Sequence, residues 1–296
     1  CFYCLWCHNH ARTLLSLYYR IALAILGPYM WYDTSMIVLL FIVLGLVLGS
    51  FVNALVWRLH EGKDWVNDRS ECTHCHHKLA TSDLIPIVSW ILLRGKCRYC
   101  HKPIEDSPLV ELALPLLFVL SYYLWPTVFE GSGMFEFMAW LIFLTGFLAL
   151  TVYDLRWFLL PNNLVFPLIA LAVAQVLAVA AYESSWNVLL DAAAGAAVVS
   201  GIFYVLFQLS GGKWIGGGDV KLGIVLGLLA GGLIEGFLLL FVASVSGLLA
   251  ALPLLIQGKA HRKTQLPFGP FLIVGLIVVK LFGVDLIDWY SSLIYV

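Results

Sequence analysis

Eight long apolar segments constrain this chain more than any other feature of its sequence. Most of them are close to the roughly 20 residues that a helix needs to cross the hydrocarbon core of a bilayer. With 61% hydrophobic and only 12% charged residues, the 296-residue chain does not resemble an ordinary water-soluble globule. We therefore predict an all-α polytopic membrane protein with about eight transmembrane helices, of which the short sixth could be tilted or re-entrant. The segments lie near residues 36–57, 108–125, 135–153, 163–182, 187–209, 219–234, 236–257 and 268–283.

Residues 1–35 differ from the rest, and we expect that this segment is not native to the protein. It begins with Cys, and its letters CLWCHNH hold Cys4, Cys7 and His8 at the C-x-x-C-H spacing of a covalent haem site. One short motif is weak evidence for haem, and a signal peptide would begin with Met and a basic stretch. Translation of sequence upstream of the native start codon would explain residues 1–35 better than a haem site or a signal peptide.

The basic residues predict the orientation of the bundle, because they fall in every second connection between apolar segments. By the positive-inside rule these connections face the cytoplasm, and both ends of the bundle face outwards. The formal net charge of −1 argues against a nucleic-acid partner. The long apolar segments make membrane lipids the expected surroundings of the chain. The basic connections contain Arg58 through Lys102, Arg156, Lys213 with Lys221, and Lys259 with Arg262 and Lys263.

The one long polar stretch lies between the first two apolar segments and contains two C-x-x-C pairs, Cys72 with Cys75 and Cys97 with Cys100. Two such pairs supply four thiolates to a structural zinc ion, with no coordination position left open. Two disulfides are the alternative, but a reducing cytoplasm disfavours them. His74, His76, His77 and His101 lie nearby, and one of them could replace a cysteine. We expect a small cytoplasmic zinc-ribbon insert whose stability depends on the metal.

Two aspartates at the predicted cytoplasmic membrane border are the leading candidates for chemistry. Asp154 ends the third apolar segment, and Asp219 opens the sixth after glycines that let the backbone turn sharply and approach a substrate. Ionisable groups at that depth are costly, which makes them functional candidates by default. Asp191 and Glu235, in contrast, lie at the opposite ends of their segments, where a solvated carboxylate costs little.

Helix polarity predicts different protonation states for the two aspartates. Asp154 lies at the negative end of its helix and Asp219 at the positive end of its own. We therefore expect Asp154 to hold the proton and Asp219 to be the ionised base, although a coupled pair titrates jointly. Such a pair can activate one water molecule for attack on an amide carbonyl.

Several motifs together resemble the type IV prepilin peptidases, a family of bacterial leader peptidases and N-methyltransferases. The resemblance covers residue 36 to about 275 and rests on the order and spacing of the motifs. They are GLVLGSFVNALVWRL with Gly49, Ser50, Phe51, Asn53 and Arg58; the two C-x-x-C pairs; DLIPIVSWILLRGKCRYC; SPLVE; Asp154 with LLPN; the G-x-G-D run of Gly216, Gly218 and Asp219; and LPFGPFL.

The resemblance implies an aspartic endopeptidase of the bacterial inner membrane with Asp154 and Asp219 as its dyad. It implies cleavage of basic prepilin or pseudopilin leaders after glycine, and methylation of the new amino terminus by S-adenosylmethionine. Gly216, Gly218, Gly95 and Glu111 are expected supporting residues, although Gly95 could be only a turn glycine and Glu111 only a helix-end acid. The expected domains are 1–35, the first transmembrane helix 36–59, a methyltransferase-associated zinc insert 60–107 and the peptidase domain 108–296.

Three other functions are compatible with part of the sequence. A presenilin-like intramembrane protease shares G-x-G-D, but the zinc insert argues against it. A proton-coupled transporter could use both aspartates as relays, although such groups usually lie near the membrane midplane and in repeated halves. In a zinc-dependent sensor or scaffold, the aspartates would be incidental.

Overall fold

The computed structural model describes residues 31–64, 68–127, 129–257 and 266–294. The haem-like motif of Cys4, Cys7 and His8, with the rest of residues 1–30, lies outside this part of the chain. Nine α-helices and one 3-10 helix, Thr81–Leu84, account for the regular structure of the described residues. The α-helices are α1 Trp31–Glu61, α2 Val88–Leu92, α3 Pro108–Leu124, α4 Ser132–Trp157, α5 Asn162–Glu183, α6 Trp186–Ser210, α7 Gly217–Ala230, α8 Leu233–Ile256 and α9 Gly269–Ile294.

Six of the helices in the described ranges are long and apolar enough to cross a membrane, namely α1, α4, α5, α6, α8 and α9. Helix α3 is shorter, with 17 residues. Helix α7 has 14 residues and is about 21 Å long at 1.5 Å per residue, less than the hydrocarbon thickness of about 30 Å. The prediction of an all-helical, multi-pass membrane protein with a short sixth apolar helix is thus confirmed.

In the described part of the chain, the insert and several helix termini lie at one end of the bundle. We call this end the insert end and the opposite one the far end. At the insert end, Arg156 of α4 donates to the Asp106 carboxylate just before α3, over 3.4 Å. The His60 ring near the end of α1 stacks on Trp157 of α4, with ring centroids 3.9 Å apart. The first contact attaches the end of the insert to α4, and the second joins α1 to α4.

Helix α4 is central to the bundle, and its large side chains form much of the core. More of its length is buried than in any other candidate span among the described helices. Trp140, Phe137, Phe143 and Phe147 are almost completely buried. The Trp140 indole N–H donates to the Ser121 hydroxyl of α3 over 3.0 Å, so the one polar atom of this side chain has a partner. The position of α4 fixes where its last turn, with Asp154, meets the other helices.

Small residues in GLVLGS of α1 and DAAAGAAVVSG of α6 allow close helix contacts. A Cβ atom on Gly45 of α1 would lie 2.4 Å from the Cα atom of Pro115 in α3. A Cβ atom on Gly227 of α7 would lie 2.5 Å from the Gly195 carbonyl oxygen of α6. These distances are shorter than any real Cβ contact, so the backbones can approach only because the side chains are absent.

Candidate active site and metal centre

Asp154 lies in the last turn of α4, as the sequence predicts, and its side chain is turned into the bundle. The helix ends because Phe158 adopts a left-handed conformation (φ 54°) and donates its N–H to the Asp154 carbonyl oxygen over 2.8 Å. Only 5% of the residue is exposed. Pro161 is the N-cap residue of α5.

Asp219 lies in the first turn of α7, at the same end of the bundle. Its N–H donates to the Gly216 carbonyl oxygen over 3.1 Å, and Gly216 is the N-cap of the helix. The sharp turn before α7 lies at Gly211 and Gly212, which have φ values of 58° and 76°, rather than at the glycines of G-x-G-D.

Gly216 and Gly218 let neighbouring atoms approach the backbone closely because they have no side chain. Neither has an unusual backbone conformation. A Cβ atom on Gly218 would lie 3.0 Å from Cβ of Leu160, in the LLPN segment that follows α4. A Cβ atom on Gly216 would lie 3.5 Å from Oδ2 of Asp219. The two glycines therefore bring the start of α7 close to the α4–α5 connection and keep the surroundings of Asp219 open.

The start of α9 completes the surroundings of Asp154. The Gly269 N–H, in the LPFGPFL segment, donates to Oδ2 of Asp154 over 3.2 Å in a buried position. A Cβ atom on Gly269 would lie 2.7 Å from the same oxygen and 3.5 Å from Cδ2 of Leu160. LPFGPFL is thus part of the wall around Asp154 in addition to beginning a helix.

The structure brings the two aspartates together. Leu160 lies against both Gly218, which precedes Asp219, and Gly269, whose N–H donates to Asp154. Helices α4 and α7 each pack against α5 and α9, which hold the two acids at the same end of the bundle. Lys221 donates to the Asn162 side-chain oxygen over 2.9 Å and so fastens the start of α7 to the start of α5.

The sequence pointed to the LLPN and LPFGPFL segments, but Leu160 and Gly269 were not among the predicted site residues. Gly269 is separated from Asp154 by 115 positions, so no local pattern connects them. The available signal was the motif LPFGPFL at the start of an apolar segment, in which Gly269 lies between Phe268 and Pro270.

The four predicted cysteines form one cluster. The sulfur atoms of Cys72, Cys75, Cys97 and Cys100 all lie within 4.8 Å of one another. The Cys72 and Cys100 sulfurs are 3.8 Å apart, which matches the edge of a tetrahedron with Zn–S bonds of about 2.3 Å. The cysteines are free thiols rather than disulfides. The cluster fits a structural zinc ion with four thiolate ligands.

The two C-x-x-C loops have equivalent backbone hydrogen bonds. Their thiols therefore have similar orientations in the two loops. Cys72 donates its N–H to the His77 carbonyl oxygen, and Cys97 donates to that of Lys102. His76 and His101 occupy equivalent positions with φ values of 55° and 58°.

Three of the four nearby histidines lie against other side chains. His76 and His74 lie near carboxylates, at 3.4 Å from Glu71 and 3.8 Å from Glu105, respectively. The His77 ring lies on Tyr99, with ring centroids 3.7 Å apart. Four cysteines therefore make the metal cluster without a histidine.

A cavity of about 370 Å³ lies between the insert, the second half of α1 and the start of α3. We call it the insert cavity. Glu111 lines it and accepts the Ile87 N–H over 2.6 Å, so this acid holds the insert against α3. Gly95 has a φ of 67°, and a Cβ atom on it would lie 3.0 Å from the Trp90 ring, which also lines the cavity. Both supporting residues thus shape the cavity and lie away from the aspartate pair.

Asn53 of α1 also lines the insert cavity and was not among the predicted site residues. It is 5% exposed, and its side-chain amide N–H donates to the Ser107 carbonyl oxygen over 3.4 Å. Its side-chain oxygen is buried without a hydrogen-bond partner. A polar residue inside the otherwise apolar first segment was the signal that could have identified it.

The sequence matches two protein-family models: the Bacterial Peptidase A24 N-terminal domain over residues 43–125 and the Type IV leader peptidase family over residues 141–252. Three known proteins named prepilin leader peptidase/N-methyltransferase are similar to it over most of their length. Those of Stutzerimonas stutzeri and Bacillus subtilis (strain 168) are each 31% identical, over 83% and 87% of this chain and 91% and 99% of theirs. That of Xanthomonas campestris pv. campestris is 32% identical, over 83% of this chain and 92% of its own.

No solved structure matches the chain. The two family models fall on the two regions that carry the sites described above, the first on the insert with its flanking helices and the second on both aspartates. With relatives above 30% identity over most of their length, the chain belongs to the prepilin leader peptidase/N-methyltransferase family.

Proposed function

We propose that this chain is an aspartic endopeptidase that cleaves prepilin or pseudopilin leaders after glycine, with Asp154 and Asp219 as its catalytic pair. The observation that carries this proposal is that both acids lie at one end of the bundle around Leu160, which lies against Gly218 next to Asp219 and against Gly269, whose N–H binds Asp154. Family membership supports the substrate class, because the relatives are named prepilin leader peptidases.

In this proposal Asp154 is protonated and Asp219 is the ionised base. The Gly269 N–H occupies Oδ2 of Asp154, which leaves Oδ1 to carry the proton and donate it to the scissile carbonyl oxygen. Asp219 accepts a proton from the attacking water. Burial of Asp154 keeps bulk water away from the reacting bond and strengthens these interactions.

The substrate enters sideways from the bilayer in the proposed reaction. Its apolar stem helix stays among lipids and neighbouring helices, and its scissile bond lies at the depth of the aspartates. The positive-inside pattern of the connections supports placing this end of the bundle on the cytoplasmic side of the bacterial inner membrane.

We further propose that the chain methylates the amino terminus freed by cleavage, with S-adenosylmethionine as donor. The volume of the insert cavity, about 370 Å³, is within the range of about 300–1,000 Å³ that is usual for small-molecule sites. Trp57 and Trp90 could stack on the adenine, and Arg58 could bind the carboxylate of the donor. Bound S-adenosylmethionine supplies an electrophilic methyl group on a sulfonium. A zinc ion held by Cys72, Cys75, Cys97 and Cys100 would be structural and would hold the insert walls in place.

Cleavage by purified protein tests the peptidase proposal. Asp154→Asn and Asp219→Asn should each lower the rate of leader removal from a model prepilin by at least about 1,000-fold, because a general acid or base is lost from a concerted pair. Zinc content, measured by atomic absorption, should stay at the wild-type value in both variants. Asp191→Asn is the matched control, since it removes a carboxylate at the far end and should leave cleavage unchanged.

Infrared carbonyl bands of the same variants test the assignment of the proton. The protonated-carboxyl band should disappear in Asp154→Asn and persist in Asp219→Asn. A proton found mainly on Asp219 would reverse the assigned roles. Cleavage at the wild-type rate by either variant would rule out the aspartic mechanism.

A further inference from the structure

We propose that Leu160 sets the requirement for glycine before the scissile bond, because its side chain fills the space that a β-carbon on that substrate residue would need. This inference rests on the proposed peptidase function and assigns its specificity to one residue. Leu160 belongs to the α4–α5 connection at the insert end. Its side chain is a hydrocarbon, so it acts by its shape and takes no part in proton transfer.

The contacts of Leu160 with the starts of two helices are the first observation. A Cβ atom on Gly218 would lie 3.0 Å from Cβ and 3.3 Å from Cδ1 of Leu160. A Cβ atom on Gly269 would lie 3.5 Å from Cδ2 of Leu160. The side chain therefore lies between the start of α7 and the start of α9, with one methyl group toward each.

These contacts place Leu160 close to both proposed catalytic acids. Cδ2 of Leu160 and Oδ2 of Asp154 lie 3.5 Å and 2.7 Å from the same point, the Cβ position of residue 269, so the two atoms are at most 6.2 Å apart. Gly218, which Leu160 contacts, directly precedes Asp219 in the chain. In the proposed reaction the scissile carbonyl lies between the two acids. Leu160 is then within about two residue lengths of it, at about 3.8 Å per residue.

The space beside the acids is open to a substrate on this side. Leu160 and Asp219 are only partly buried, and Gly216 is exposed. A Cβ atom on Gly216 would have two neighbours within 4 Å among the described residues, Oδ2 of Asp219 at 3.5 Å and the Gly218 backbone nitrogen at 3.9 Å. A peptide backbone therefore has room next to the Asp219 carboxylate.

The position of Leu160 along the bundle indicates which substrate residue it faces. Helix α4 ends at Trp157, so Leu160 lies beyond the last turn, which carries Asp154. In the proposed function the apolar stem runs alongside the helices, and the leader continues past the end of the bundle. Leu160 therefore borders the leader side of the scissile bond, where the last leader residue lies.

A side chain on that leader residue would disturb the reacting bond directly. Its Cα atom is bonded to the scissile carbonyl carbon, so a methyl group pressed against Leu160 would displace the carbonyl from the attacking water. Leu160 has little room to yield, because it already contacts the backbone at Gly218 and Gly269. A pocket discriminates a single carbon atom by about 10- to 200-fold, which is enough to select glycine over alanine.

The experiment measures kcat/KM of the full-length protein in detergent for two model prepilins, with glycine or alanine before the scissile bond. Wild-type protein should favour the glycine substrate by about 100-fold, and Leu160→Ala should lower that ratio by at least about 10-fold. The ratio is the measurement because a general loss of activity lowers both rates alike. Leu160→Val keeps most of the packing and should lower the ratio by about 3-fold, which provides a test in a milder variant.

Two matched controls keep the volume at position 160 or change its neighbour. Leu160→Met conserves the volume and should keep the wild-type ratio. Leu159→Ala shortens an adjacent side chain that is 62% exposed, and it should keep the ratio as well. An equal fall of the ratio in either control would overturn the inference, because space at position 160 would not be the cause.

The other outcomes separate this inference from the proposed function. A wild-type ratio in both Leu160→Ala and Leu160→Val would overturn the role of Leu160 and leave cleavage after glycine intact. Wild-type protein that cuts both substrates at the same rate, or cuts neither, would refute the proposed cleavage after glycine itself.

Discussion

The Asp154 carboxyl group lies against the backbone of α9, with no room for a side chain between them. Its Oδ2 atom accepts the Gly269 N–H, and a Cβ atom at position 269 would come within 2.7 Å of that oxygen. The carboxyl group is therefore positioned by a backbone N–H, which has little freedom to move. Glycine at 269 matters for the space it leaves.

Substitution Gly269→Ala should lower leader cleavage by about 10- to 100-fold. The added methyl group forces the Asp154 carboxyl group away from its position, and displacements of about 1 Å are enough to cost that much in rate. The rate of leader removal under substrate saturation is the measurement.

Gly201→Ala is the matched control for this residue. A Cβ atom on Gly201 would have no neighbour within 4 Å, and the residue lies within α6. Alanine there should keep full activity and stabilise the helix slightly. Unchanged cleavage by Gly269→Ala would mean that the contact with Asp154 has no part in catalysis.

At the scale of helices, α7 depends on α6 for its position. The two pack through Gly195 and Gly227, whose missing side chains let one backbone touch the other. Because α7 is shorter than the other membrane helices and carries Asp219 in its first turn, a shift of α7 moves the catalytic candidate with it.

Substitution Gly227→Val should destabilise the protein by about 1–3 kcal/mol or more, the usual cost of overpacking. The new side chain would meet Cα of Ala196 at 2.5 Å, and a backbone atom cannot rotate away. Thermal unfolding in detergent, followed by tryptophan fluorescence, measures the loss. Gly201→Val on α6 faces open space and should unfold near the wild-type temperature; equal midpoints for both variants would contradict the packing argument.

At the scale of the whole molecule, the four-cysteine cluster joins the two loops of the insert, and insert residues form one wall of the insert cavity. The described insert residues form two short C-x-x-C loops, a 3-10 turn and the five-residue helix α2. So little regular structure buries too few apolar groups to be stable without metal.

Removal of zinc by Cys97→Ser or by a strong chelator should therefore unfold the insert and leave the membrane helices folded. Limited proteolysis should then cut between residues 62 and 107, methylation should fall below detection, and helical circular dichroism should change little. His74→Ala is the matched control and should keep the zinc, because His74 is not among the clustered ligands. Loss of zinc in that variant, or an insert that resists proteolysis after zinc removal, would contradict the four-cysteine assignment.

Much of this protein could be predicted from sequence because the decisive signals are local. A run of about 20 apolar residues indicates a membrane helix wherever it occurs, since the bilayer thickness fixes the length. The C-x-x-C spacing places two thiols on one loop, and the end of an apolar segment locates Asp154 and Asp219 at a membrane border. The helical class, the insert and the metal cluster followed from these features.

The tertiary structure decided how the helices pack and which distant residues share a site. Lipid tails are as apolar as leucine, so hydrophobicity does not tell one helix which neighbour to choose; shape and small residues do. Contacts of this kind bring Gly269 to Asp154 across 115 positions and bury the Asn53 side-chain oxygen, in a residue beside the insert cavity, without a hydrogen-bond partner. Sequence determined the elements and their ends, whereas packing between elements determined the two sites, because both sites are made from residues that meet only in the folded bundle.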